Sequence, residues 1–137
     1  MRFEVEVRDL SAAVRAAIAR AAKDGALKGA EKVVEKAQKR ITEGTKSGNT
    51  YTKNGKTWQA SAPGESPANV EGDLAEGNVA RSEGDHAEAV STDWKAHTME
   101  FGTPRGKVKA RPYMGKAAEE SHADVTEAIA DAIKAAL

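Results

Sequence analysis

Asp85, His86, Glu88, Asp93, His97 and Glu100 form the one polar cluster worth testing for divalent-ion binding or proton transfer, because imidazole and carboxylate groups do both. Their spacing matches no hydrolytic pattern. The chain has no H-E-x-x-H word, no paired-histidine motif and no nucleophile elbow. Carboxylates placed this way in turns are ordinarily solvated, so we expect no catalytic, cofactor-binding or metal site and no enzyme activity. Cysteine is absent, which removes disulfides, thiolate ligands and cysteine nucleophiles together. Gly55-Lys56-Thr57 is not a phosphate loop, since a Walker pattern would need glycine where Thr50 stands.

A second chemical feature lies in EFGTPRGKVKARPYMGKA, Glu100 to Ala117. Arg105, Lys107, Lys109, Arg111 and Lys116 carry five positive charges with no acid between residues 101 and 118. Gly102 and Gly106 accept positive φ and Pro104 fixes its own, so the chain must turn after Phe101. Pro112 suits the first turn of a helix, where its missing N–H costs nothing. Glu100 and Arg111 flank the connector with opposite charge and are expected to hold the turn against the last helix.

This stretch resembles a signature of the tail-completion or neck proteins of long-tailed bacteriophages, which join head to tail. The resemblance rests on Glu100, Phe101, Gly102 and Thr103, followed after a short basic connector by Ala110, Arg111, Pro112 and Tyr113. It extends more loosely to SAPGESPANVEGDL, where Gly72 and Leu74 match a G-x-L word; Gly77, Asn78 and Lys95 depart from the pattern. The resemblance implies a virion structural protein at the head-to-tail interface, present in the host cytoplasm during assembly. It further implies a six-fold ring of identical subunits, contacts with head-closure or connector proteins and with tail-terminator or tail-tube proteins, and DNA passing through without sequence-specific binding. Arg105, Lys107 and Lys109 are then candidates for contact with DNA or a neighbouring subunit. The alternative is a small nucleic-acid-binding accessory protein that uses the basic 105–116 segment on phosphates, with Tyr51 or Trp58 stacking on bases.

The elements that must position these residues follow from length and pattern. A chain of 137 residues is read as a single domain, 1–137. It has no long apolar run, so no membrane role is expected, and MRFEVEVRDL lacks the order of a secretory signal. Outside alanine, only 27 residues of Val, Ile, Leu, Met, Phe, Tyr and Trp are available for a core, which favours gaining burial by association. Residues 1–60 hold thirteen Lys and Arg against seven acids, whereas residues 61–100 hold two against nine. That balance, with a pI near 6.8, does not fit a free-standing DNA-binding domain.

FEVEV, residues 3–7, alternates as a half-buried strand, with Asp9 or Ser11 able to cap the helix after it. Val14, Ile18, Ala21, Gly25, Gly29, Val33, Ala37 and Ile41 then trace a helical stripe to about Thr42, roughly 45 Å long at 1.5 Å per residue. Gly25 and Gly29 are expected to mark a close helix crossing. Residues 44–69 lose the pattern and read as a flexible arm, with a hairpin around Asn54-Gly55 anchored by Tyr51 and Trp58. Residues 78–82 and 86–91 read as short strands, and Trp94 to Phe101 as a last strand before the turn. Met114, Ala118, His122, Val125, Ile129, Ala132 and Ala136 mark the closing helix, with His122 a partly buried packing or interface residue. The expected fold is α+β: two long helices packed on a small, mainly antiparallel sheet.

Overall fold

The computed structural model describes residues 2–84 and 86–137, with side chains from Ala12 onward. The fold is α+β. Its elements in chain order are α1 (Arg2–Glu43), β1 (Thr50–Lys53), β2 (Lys56–Gln59), α2 (Asp73–Glu76), β3 (Asn78–Glu83), β4 (His86–Ser91), α3 (Ala96–Phe101) and α4 (Met114–Ala136). The strands form two separate antiparallel pairs, β1–β2 and β3–β4.

α1 and α4 run antiparallel and make the scaffold, and small residues set their separation. A Cβ on Gly25 would lie 2.7 Å from Ile129 Cα, and one on Gly29 would lie 2.8 Å from Val125 Cγ1. Each glycine costs about 1 kcal/mol of helix propensity relative to alanine, and the close contact along the seam offsets that cost. The expected close crossing is therefore present. α1 ends where a Cβ on Gly44 would strike the Arg40 carbonyl oxygen. That oxygen instead accepts the Gly44 N–H and the Lys46 ammonium, at 3.2 and 3.1 Å.

The main core cluster lies at this end of the scaffold and is thin. It comprises Ala37, Ile41, Leu74, Ala75, Tyr113 and Ala117, with Val33, Ala96, Met99 and Met114 packed around it. Asn78 donates to the Leu74 and Ala75 carbonyls at 2.9 and 3.1 Å, so the start of β3 closes the short α2.

Three expectations are corrected. The backbone of residues 3–7 belongs to α1, not to a strand, and Asp9 and Ser11 lie inside the helix. A five-residue alternation is too short to fix its period, and the alanine-rich run from Ala12 propagates helix cheaply once nucleated. Trp94 to Phe101 turns into α3 because Asp93 accepts the Lys95 N–H on its side chain and the Ala96 N–H on its carbonyl, 2.8 and 3.1 Å, which starts a helical turn. His122 is exposed, which overturns the packing alternative of its two expected roles, and Ser121 is the fully buried residue. One residue is a rotation of about 100° on a helix, so the inward stripe runs through the buried Ala117 and Ser121 to the half-buried Val125.

Candidate functional site

The signature residues build one clamp between α3 and α4. No side chain at α4's own N-terminus caps it. Glu100, at the end of α3, does so from outside: Oε2 accepts the N–H groups of Tyr113 and Met114 at 2.9 and 3.0 Å, and Oε1 accepts that of Gly115 at 2.9 Å. Three of the four orphan donors of a helix start are thereby satisfied by one anion at the positive end of the dipole.

Gly102 stops α3 with φ 73°. A Cβ there would stand 2.7 Å from the Val108 oxygen. Thr103 closes the loop that follows, donating its N–H to the Val108 carbonyl at 2.9 Å and accepting the Val108 N–H on Oγ1 at 3.0 Å. Ala110 accepts the Gly64 N–H at 3.1 Å, and the Arg111 N–H returns to the Met99 carbonyl at 2.6 Å. Pro112 precedes the helix by two residues. Tyr113 is 1% exposed and its hydroxyl meets Ser91 Oγ at 2.9 Å. Burial pushes the phenol above its ordinary pKa, Ser91 pulls the other way, and the carboxylates of Glu100 and Asp93 add to the rise.

Glu100 and Arg111 do not bond each other. Arg111 instead spans to the arm, its Nε and Nη2 donating to the Ser61 carbonyl at 3.3 and 3.2 Å and its Nη1 to the Lys109 carbonyl at 2.8 Å. Arg105, Lys107 and Lys109 are exposed on the loop and make no ion pair among the described residues.

The arm pairs as β1 and β2 in the expected hairpin, with Tyr51 opposite Trp58 and Asn54 and Gly55 at φ 52° and 76°, as a type I′ turn requires. The two rings lie 6.0 Å apart, with Tyr51 48% exposed. Its base is fastened by a residue no motif marks. Glu65 Oε1 accepts the N–H groups of Ala62 and Ser47 at 2.6 and 2.9 Å, and Oε2 accepts the Ser47 hydroxyl at 2.8 Å. These bonds, that to Ala62 foremost, hold the Glu65 carboxyl below the ordinary glutamate range. Burial lowers the nearby Lys46 ammonium, which the Glu65 charge opposes. Trp58 shares with Trp94, Met99, Val108 and Arg111 an open cleft of about 540 Å³ between the arm and α3.

The polar cluster does not converge. His86 and Glu88 meet at 3.2 Å on β4, Asp93 pairs with Lys95 at 3.8 Å, Glu100 caps α4, and Asp85 lies outside the described residues. Among the described residues no group of three or more potential ligands is placed to hold a metal ion, and no helix is long and apolar enough to cross a membrane. Comparison of the chain with protein-family models, curated proteins and solved structures finds no match.

Proposed function

We propose that this chain is a structural subunit of the head-to-tail joint of a long-tailed phage, of the tail-completion or neck class, acting by ring assembly and not by catalysis. One observation supports assembly above all. The buried core holds three large apolar side chains, Ile41, Leu74 and Tyr113, whereas six others, Val14, Tyr51, Val79, Trp94, Phe101 and Leu137, are exposed among the described residues. Association that covers the apolar surface these side chains still expose would add to the stabilisation that so small a core supplies. The exposed set is spread over α1, the arm, the β3–β4 pair, α3 with the turn before it, and the residue that follows α4, which suits a head-to-tail contact between unlike faces that closes into a ring.

The phage assignment rests on the likeness of the Glu100 to Tyr113 signature. In it, Phe101 is the residue most open to solvent, at 69%. Reconstitution tests the reading. The purified chain should bind connector-closed heads or tails lacking it, and Tyr51→Ser should weaken that binding. Failure to bind any head or tail assembly would remove the proposal.

A further inference from the structure

We propose that the outer side of α3, with the cationic loop after it, is a binding surface for single-stranded nucleic acid. Trp94 and Phe101 are 87% and 69% exposed, so the fold uses little of either ring. His97 and Phe101 lie one turn apart on α3 with their ring centroids 4.9 Å apart, and Trp94 stands in the turn that leads into that helix. Lys95 Nζ lies 5.9 Å from the centroid of the Trp94 ring.

Arg105, Lys107 and Lys109 are exposed on the loop that follows Phe101 directly. Val108, flanked by Lys107 and Lys109, lines the same cleft as Trp94. Gly102, the residue after Phe101, abuts the Val108 and Lys109 backbone. Arg105, Lys107 and Lys109 have no carboxylate partner among the described residues. Of the neighbouring acids, Asp93 is engaged with Lys95 and Glu100 with three α4 amides, whereas Glu71 and Asp73 line the cleft that Trp94 shares with Val108. The surface thus combines open aromatic faces with unpaired positive charge.

That combination fits bases that stack and phosphates that pair. A duplex keeps its base faces stacked internally. The structure also moves the stacking role away from the arm and removes Arg111 from the phosphate set, since Tyr51 and Trp58 face each other and the Arg111 guanidinium is held by two carbonyls. The inference does not depend on the head-to-tail reading.

Titration of the full chain with a fluorescein-labelled oligothymidylate at low ionic strength tests it. Saturable binding with quenching of tryptophan fluorescence is expected, and three phosphate contacts should give a log–log salt slope of about −2. Trp94→Ala with Phe101→Ala should weaken binding at least about tenfold, whereas Trp94→Phe alone should retain most of it. Replacing Arg105, Lys107 and Lys109 by alanine should flatten the salt slope. No binding at low salt, equal affinity for a duplex or for polyglutamate, or undiminished binding by the folded double aromatic variant would each overturn the proposal.

Discussion

Glu100 caps the helix that begins with Met114, accepting its backbone N–H at 3.0 Å from fourteen positions earlier in the sequence. An ordinary cap lies next to the turn it serves, whereas this one arrives from the end of another helix and so fastens α3 to α4 as well. Glu100→Ala should therefore cost about 1–2 kcal/mol, the upper part of the range for a lost cap, and lower Tm by roughly 5 °C. Glu100→Gln, which keeps an acceptor but loses the charge at the helix dipole, should cost less. Urea denaturation of both variants measures the difference.

Gly29→Ala sets two magnitudes against each other. Helix propensity favours alanine by about 1 kcal/mol, but the new methyl would stand 2.8 Å from Val125 Cγ1. Overpacking costs about 1–3 kcal/mol, so net destabilisation is expected. At Gly25 the obstacle is the Ile129 backbone, which yields less readily, and Gly25→Ala should be the worse of the two. Gain of stability in either variant would show that the seam is looser than described.

The arm base should open in acid. The Glu65 carboxyl is held below its ordinary value by hydrogen bonds from Ala62 and Ser47, so the stability it contributes is present above the ordinary glutamate pKa and is lost as pH falls through the lowered one. Amide hydrogen exchange at Ser47 and Ala62 should accelerate beyond its intrinsic pH trend below about pH 4. In Glu65→Gln the same amides should exchange fast at every pH.

Tyr113 should make the fold sensitive to alkali. Its phenol is raised by burial, so the proton is held more tightly in the folded chain than in the unfolded one. Full stability is expected below about pH 10, with loss as pH rises from there through the folded value. Tyr113→Phe should abolish that alkaline loss at a cost of about 1 kcal/mol at neutral pH from the broken bond to Ser91.

Arg111→Ala frees the Ser61 and Lys109 carbonyls and is expected to lower stability by about 1–2 kcal/mol. It should also speed tryptic cleavage after Lys53 and Lys56, because Ser61 ties the arm to the connector. Arg111→Lys should not restore the wild type, since a single ammonium does not reproduce the planar fork. Unchanged stability and cleavage in Arg111→Ala would show that the tether carries no weight.

Elements with strong local signals were legible in the chain alone. The stripe from Val14 to Ile41 marked the long helix, Asn54-Gly55 marked the hairpin, and the turn after Phe101 followed from Gly102, because each signal is set by the backbone preferences of a few adjacent residues. Where the local signal was short or weak, the reading failed. Residues 3–7 and 94–101 have brief or irregular alternation, and neighbouring helical turns decided their state. Asp93 is the one local residue that could have signalled α3.

Cysteine content, charge segregation and the shortage of large apolar residues are properties of the sequence as it stands, and they determined that the core would be thin and that disulfides could not support it. Which groups meet was decided only in three dimensions. Glu100 on the α4 amides, Glu65 on both sides of the arm and Arg111 on Ser61 each link residues far apart in sequence or bond to main-chain groups, which every residue carries and no motif records. The exposure of Trp94 and Phe101 was likewise beyond the sequence, because an aromatic side chain is written the same way whether or not packing elements reach it.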